Sequence, residues 1–227
     1  MEKQVMKAIT YPLLGSLLLI SGAAMATEEP NYTILAQTED FELRRYDPQI
    51  VAQTWVTGDQ DDASRQGFKT LADYIFGNNT AANGSSSKIS MTAPVMMQPQ
   101  DANKSRANNK DDESQKIAMT APVTMQQANG KWRVQFVMPS RYTMQTLPKP
   151  NNPDITITEL PVKTYGVIKF SGLAGTKKVA EKTETLRSWM QSQKLTITST
   201  PELARYNPPW TLPFMRRNEI MIAYQQK

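Results

Sequence analysis

Two near-identical segments carry the most distinctive side-chain chemistry of this chain. Residues 88–98 (KISMTAPVMMQ) recur as residues 116–126 (KIAMTAPVTMQ), with nine of eleven positions identical. Apolar residues alternate in each copy, which predicts a strand with one buried face, and the polar stretch between them predicts an extended hairpin. Methionine thioethers on such strands suit three roles: filling an irregular core, forming an adaptable wall for a flat apolar ligand, or binding Cu(I).

Histidine and cysteine are both absent from the 227 residues. The chain therefore has no Ser-His-Asp triad, no histidine general base, no thiol nucleophile, and no histidine or thiolate ligand for zinc or haem iron. Hydrolysis would need paired carboxylates such as Glu159 and Glu219, and nothing in the sequence indicates that these two converge. We accordingly expect a binding protein rather than an enzyme.

The first 26 residues are typical of a secretory signal peptide. Lys3 and Lys7 precede the apolar run 13–20, and Ala24-Met-Ala26 forms a small-x-small cleavage site. The run is too short to span a membrane, so we expect cleavage near Ala26, no stable membrane anchor, and a periplasmic or secreted protein.

Residues 27–227 are long enough for one domain, which we expect to be monomeric. The net charge of +5 is dispersed along the chain, which argues against nucleic acid as a partner.

Sequence periodicity predicts the elements that position these residues. In the first helix, Phe68, Leu71, Ala72 and Ile75 are spaced i, i+3, i+4 and i+7, as on one apolar face. The polar segment of about 99–115 is expected to be a mobile loop. The predicted strands cover residues 32–37, 41–46, 50–56, 132–138, 195–198 and 218–224, and the predicted helices cover about 61–76 and 176–193.

The chain also contains a weaker, longer repeat. Residues 155–172 align without a gap to residues 41–58, and a predicted helix follows each copy. This order of strand, strand and helix in two copies predicts an α+β fold. We expect a distorted antiparallel β-barrel built from two related halves, each with a flanking α-helix.

Three separated motifs make residues 30 to 225 resemble the SOUL haem-binding family. They are the duplicated Lys-Ile-x-Met-Thr-x-Pro-Val, then Val137-Met-Pro139, and the run from Tyr206 to Glu219 (YNPPWTLPFMRRNE). The resemblance implies the same distorted barrel in a single SOUL-type domain. It also implies that haem or a related tetrapyrrole binds non-covalently in an apolar groove, with the protein acting as a buffer, scavenger or carrier.

The resemblance places the haem contacts on the first helix and on the segments around it. Arg65 corresponds to a basic residue near a propionate and Phe68 to an apolar groove position, and at i and i+3 the two share a helix face. Thr211 stands where some relatives have a lysine. The full predicted contact set is Arg65, Phe68, Leu71, Ala72, Met91, Met119 and Trp210.

Several alternatives stay open at this point. Arg65 and Phe68 are equally compatible with a surface arginine beside a core phenylalanine. Iron ligation by Met91, Met119 or Tyr74 is chemically feasible, but no spacing selects one of them, and haem without an axial ligand is the other option. The protein could instead be a binding module for another apolar small molecule or lipid, or a carboxylate-based hydrolase.

Overall fold

The computed structural model describes residues 27–99, 131–208 and 210–225. The predicted strands and helices listed above are confirmed to within one residue at each end. In chain order the elements are β1 (Tyr32–Gln37), β2 (Phe41–Tyr46), β3 (Gln49–Thr57), α1 (Gln60–Ile75), β4 (Asn79–Thr80), β5 (Val95–Pro99), β6 (Lys131–Val137), β7 (Lys149–Pro150), β8 (Thr156–Leu160), β9 (Lys163–Phe170), α2 (Thr176–Ser192), β10 (Thr196–Ile197), β11 (Glu202–Arg205), a 3₁₀ turn (Pro213–Met215) and β12 (Asn218–Gln225).

One curled antiparallel sheet joins most of the described strands. Its order is β1-β2-β9-β12-β11-β5-β6-β3-β8, with β10 also paired to β12. Counted outwards from the central β11–β5 pair, β11, β12, β9 and β2 correspond to β5, β6, β3 and β8, and β1 adds a strand at one end. The strands of the aligned segments 41–58 and 155–172 therefore take equivalent places, since β2 pairs with β9 as β8 pairs with β3. This confirms the α+β distorted barrel with two related halves.

Helix α1 begins with a strong cap. The Asp59 carboxylate accepts hydrogen bonds from the backbone N–H groups of Asp61 and Asp62, at 2.9 and 2.8 Å. These bonds satisfy two of the free N–H groups of the first turn, and the acidic pair also complements the helix dipole. The helix then approaches β6 closely, because Gly67 has no side chain. A Cβ at that position would lie 2.6 Å from the Cβ of Val134.

The two helices cover equivalent parts of the sheet. Helix α1 packs on β3 and β6, and α2 packs on β9 and β12, so β5 and β11 lie between the two helix-covered strand pairs. In the second half, the glycine that lets helix and sheet approach closely is on the strand instead of the helix. Gly166 of β9 lies under the side chain of Met190 of α2. Within the described ranges, neither helix is long and apolar enough to cross a bilayer.

The prediction for the first methionine segment is only partly correct. Strand β5 covers just Val95–Pro99, and the preceding residues bond elsewhere. The Ile89 N–H donates to the Ile75 carbonyl at the end of α1, and the Ala93 N–H donates to the Glu28 carbonyl. Pro94 has no N–H to give to a ladder. The second copy (116–126) and most of the 99–115 loop lie outside the described residues, so the hairpin stays a prediction.

The sheet has a different kind of residue on each face. The face under the helices carries the main core, which includes Leu71, Met97, Phe136, Leu186 and Ile220. The opposite face carries a smaller cluster of tyrosines and small apolar residues together with buried charges. Its members are Tyr46, Tyr165, Val167, Ala204, Met221 and Ala223, with Tyr32, Met96 and Tyr206 packed against them.

Candidate functional site

Arg65 and Phe68 both reach the surface of α1, as the helical spacing predicts. The Arg65 side chain is 73% exposed and pairs with Asp62, three residues earlier on the same helix. The Phe68 ring is 37% exposed, and its buried edge lies against Phe136 of β6, with ring centroids 5.4 Å apart and planes at 63°. Phe68 therefore presents part of an anchored aromatic ring to solvent, which suits stacking on a flat ligand.

Two of the predicted contacts on α1 belong to the core instead. Leu71 has no exposed surface and Ala72 is 8% exposed. Leu71 lies on the face of α1 that packs on the sheet, so it has no atom for a surface ligand to touch. Core packing alone explains an apolar helix stripe, so the burial of Leu71 and Ala72 gives no support to a ligand contact at either residue.

Arg205 is a basic residue beside Phe68 that sequence reasoning missed. From β11 its guanidinium donates to the Ser64 hydroxyl at 2.9 Å and to the Ala174 carbonyl at 3.2 Å, and it lies 3.7 Å from an Asp61 carboxylate oxygen. Its Nε is buried and has no hydrogen-bond partner among the residues that the structure describes. Burial lowers the pKa of Arg205, which the nearby Asp61 only partly offsets. An added carboxylate would relieve this poorly solvated cation.

The strand register connects Arg205 to Phe68. Val95 of β5 is paired on one side with Phe136, which Phe68 contacts, and on the other side with Arg205. Ser64, which accepts from Arg205, precedes Phe68 by four residues and so shares its helix face. These five residues (Ser64, Phe68, Val95, Phe136 and Arg205) form what we call the Phe68 patch. No local sequence signal could have found Arg205, because the sheet order brings it to α1.

The three remaining predicted contacts lie against the core, outside the described residues and in a surface loop. Met91 is partly buried and packs against the main core. Met119 is outside the described residues. Trp210 is 81% exposed, so it is not packed into the core. It lies in the segment 207–216, which we call the C-terminal loop and of which the structure describes all but residue 209.

Glu219 has a structural role in a buried network of ion pairs. It is fully buried on β12 and accepts hydrogen bonds from Arg44 at 2.8 and 3.0 Å, from the Tyr206 hydroxyl at 2.7 Å and from Arg217 at 3.0 Å. Burial alone would raise the pKa of Glu219, but the bonds and charges of Arg44 and Arg217 outweigh it and hold the pKa below its usual range. A carboxylate held ionised by two arginines is a poor acid or base catalyst.

Glu159 does not meet Glu219, so the carboxylate pair needed for hydrolysis is not formed. Glu159 is on β8 and lines a cavity of about 380 Å³ that Glu219 does not line. We call this space the acidic cavity, because its lining includes four carboxylates among apolar and aromatic side chains. The residues that define it are Glu28, Glu29, Asp47, Glu159, Ile50, Met138, Tyr142 and Met144.

The fold and the patch define a two-half α+β barrel with an aromatic and cationic surface beside its first helix. Comparison with family models shows a match to the SOUL heme-binding protein family over residues 27–110 and 104–223. The chain belongs to the SOUL heme-binding protein family. This is a family of binding proteins, in keeping with the expectation of a protein that binds rather than catalyses.

Solved structures of other proteins share the fold. The C-terminal domain of EcmrR is 11% identical, with a TM-score of 0.55 over 86% of this chain and 99% of that one. An uncharacterized conserved protein from Listeria innocua is 10% identical, with a TM-score of 0.55 over 84% of this chain and 94% of that one. A hydrolase from Listeria innocua is 9% identical, with a TM-score of 0.50 over the same shares. At such identities the likeness shows the fold alone. No curated protein matches the sequence.

Proposed function

We propose that this protein binds haem or a related tetrapyrrole non-covalently at the Phe68 patch, as a buffer, scavenger or carrier. One observation carries the proposal. The partly exposed Phe68 ring is anchored on Phe136 and lies one helical turn from Ser64, which accepts a hydrogen bond from Arg205; the Nε of Arg205 is buried without a partner in the described structure. A porphyrin presents an apolar plane for such a ring and propionates for such a cation. The membership of the chain in a haem-binding family supports this assignment.

The residues present fit a tetrapyrrole that binds by surface contact and charge. Arg205 would anchor a propionate, Phe68 would stack on the macrocycle, and Arg65, at the same end of α1, would add a solvent-exposed positive charge. Haem itself would supply the iron and its conjugated ring. Because the sequence contains no histidine or cysteine, the protein contributes no imidazole or thiolate to that iron, which suits reversible storage or transfer.

Electrostatics favour the Phe68 patch over the acidic cavity as the tetrapyrrole site. The cavity has a volume of about 380 Å³ and is partly apolar, but its lining includes Glu28, Glu29, Asp47 and Glu159. Propionates placed there would face like charges, which disfavours binding. Among the five residues of the patch, by contrast, the one charged group is the Arg205 guanidinium, which Asp61 at 3.7 Å partly neutralises.

We further propose that the protein acts outside the cytoplasm as a monomer. The support for export is the signal-peptide pattern of residues 1–26, together with a family match that begins at residue 27. Removal of the leader near Ala26 would release the domain into the periplasm or the medium.

The test is a haem titration of residues 27–227, followed by Soret absorbance and quenching of tryptophan fluorescence. The protein must carry no polyhistidine tag, because a tag would introduce the molecule's only imidazoles. Saturable one-to-one binding that Phe68→Ser weakens supports the proposal. Phe76→Ser is the matched control, because Phe76 is a 63% exposed phenylalanine at the other end of α1. Unsaturable binding, or equal loss in both variants, would refute the assignment to the patch.

The acidic cavity supports a second candidate function, the binding of a small apolar cation. Ile50, Met138 and Met144 supply apolar surface, and Asp47 and Glu159 supply negative charge in a space of about 380 Å³. A thermal-shift screen of lipids, cationic dyes and haem separates the two candidates. Stabilisation by cationic dyes that Glu159→Gln abolishes would favour the cavity.

A further inference from the structure

Five large apolar side chains project into solvent from two neighbouring loops. They belong to the C-terminal loop and to the turn between β9 and α2. Their exposed fractions lie between 56% and 81%, which is unusual for such side chains when they are clustered. They are Leu173 (60%), Trp210 (81%), Leu212 (56%), Phe214 (73%) and Met215 (62%).

Backbone and side-chain bonds hold these two loops together. The Gly172 N–H donates to the Pro213 carbonyl at 2.9 Å, and the Asn218 amide donates to the Gly172 carbonyl at 3.0 Å. Within the C-terminal loop, the Arg216 guanidinium donates to the Thr211 carbonyl at 2.8 Å. Pro208 and Pro213 further restrict its backbone. The apolar side chains are therefore presented by a fixed scaffold, which reduces the entropy lost when they bind a surface.

A group of lysines adjoins this apolar tip. An open depression next to Leu173 is lined by Lys169, Lys177, Lys178 and Lys182, with Glu181 as its one acidic residue among those described. Lys178 donates to the Ser171 carbonyl at 2.8 Å, which places it directly beside the turn that carries Leu173. Lys169 is partly neutralised by Glu42, whereas Lys177 and Lys182 form no ion pair within the described part of the chain.

We propose that this surface docks on an anionic lipid membrane. Tryptophan and phenylalanine favour the interface between lipid headgroups and acyl chains, and lysines beside them are attracted to anionic headgroups. The apolar residues form a protruding tip rather than a groove, so they can enter a fluid interface without a complementary partner shape. The lysine group supplies the charge complementarity that selects an anionic membrane. This inference does not depend on tetrapyrrole binding.

Vesicle co-sedimentation tests the proposal without haem. Residues 27–227, which begin where the family match begins, would be mixed with phosphatidylcholine vesicles with and without phosphatidylglycerol. We expect binding to the anionic vesicles that falls as salt is raised. We expect the partition coefficient to fall at least about tenfold in each of two double variants, Leu212→Ser/Phe214→Ser and Lys177→Glu/Lys182→Glu.

Matched controls distinguish docking by this surface from non-specific binding to vesicles. Leu35→Ser/Val162→Ser removes two other exposed apolar side chains, and Lys131→Glu/Lys149→Glu reverses two other exposed lysines. Both controls should bind vesicles as the unaltered protein does. Trp210 supplies an independent signal, because its emission should shift to the blue on anionic vesicles and Trp210→Phe should remove that shift.

Four outcomes would overturn the proposal. They are absence of binding to either vesicle type, equal binding to neutral and anionic vesicles, unchanged binding by the loop variant, and self-association without vesicles that the loop variant abolishes. The last outcome, measured by analytical ultracentrifugation, would assign the apolar tip to a second copy of this chain. None of the four would affect the haem titration, so failure of this proposal is distinguishable from failure of the proposed function.

Discussion

The Arg44 guanidinium and the Glu219 carboxylate form a bidentate ion pair across an intervening strand. Arg44 is on β2 and Glu219 is on β12, and both strands pair with β9. The two bonds are 2.8 and 3.0 Å long, and neither side chain has any exposed surface. The pair thus joins three strands on the face of the sheet opposite the helices.

Removing one partner of this pair should be strongly destabilising. Glu219→Gln leaves the Arg44 cation buried and poorly compensated, so we expect a loss of about 3–5 kcal/mol in the free energy of unfolding, measured with urea. Asp62→Asn, which breaks the exposed pair with Arg65, should cost less than about 1 kcal/mol. The double variant Arg44→Met/Glu219→Gln should lose much less unfolding free energy than the sum of the losses of the two single variants. Additive losses would mean that the two side chains act independently.

Stability should fall as the solution is acidified through the range in which Glu219 takes up a proton. Burial opposes ionisation, but the bonds from Arg44 outweigh it and lower the folded-state pKa below the usual value of 4.5. The stabilisation is therefore fully present above pH 4.5 and is lost as pH falls towards the folded pKa. Glu219→Gln lacks this carboxylate. The difference in unfolding free energy between the unaltered protein and Glu219→Gln should therefore narrow as the pH falls from neutral to about 3. A constant gap would contradict the assignment.

Gly67 should tolerate no side chain, although it lies in a helix interior. Alanine would gain about 1 kcal/mol in helix propensity, but its Cβ would clash with Val134, a β-branched residue fixed in β6. We expect Gly67→Ala to cost about 1–3 kcal/mol net in thermal or urea unfolding. The control is Gly175→Ala, at the N-cap of α2, because a Cβ there meets nothing within 4 Å; since alanine caps a helix less well than glycine, its cost should stay below about 1 kcal/mol.

Arg205 should matter more than Arg65 for haem affinity. The Arg205 side chain is 27% exposed and the Arg65 side chain 73%, and solvent screens the exposed charge more strongly. In haem titrations Arg205→Gln should weaken binding about tenfold or more, and Arg65→Gln less than about threefold. Arg205→Lys should recover part of the affinity if charge is what matters. Melting curves verify that each variant is folded. A larger loss of haem affinity in Arg65→Gln than in Arg205→Gln would identify Arg65 as the residue that anchors the propionate.

The leader should be removed after Ala26. Intact-mass analysis of protein recovered from the periplasm of a Gram-negative host should show a chain that begins at Thr27. Ala26→Arg should leave the leader attached, because the cleavage site requires small residues. A cytoplasmic, full-length product from the unaltered gene would contradict the proposed export.

Local chemistry in the sequence was sufficient to predict most elements and the two-half plan. Alternating apolar residues predict the strands, and the acidic pair at the start of α1 and its apolar stripe predict that helix. The alternating apolar pattern wrongly predicted a strand over residues 88–94. Pro94 has no N–H to donate there, and the N–H groups of Ile89 and Ala93 donate to the carbonyls of Ile75 and Glu28. An alternating pattern reports which side chains can be buried, but it does not report which backbone groups pair.

The composition of the chain, by itself, also excluded histidine and thiolate chemistry, and its motifs indicated the family. Only the tertiary structure decided which of the predicted contacts face solvent, because Leu71 and Phe68 look alike in a helical repeat, and only packing on the sheet separates them. It alone brought Arg205 to Ser64 and Arg44 to Glu219, residues separated by 141 and 175 positions. Such pairings depend on the order of strands in the sheet, which arises from long-range contacts that no local sequence pattern encodes.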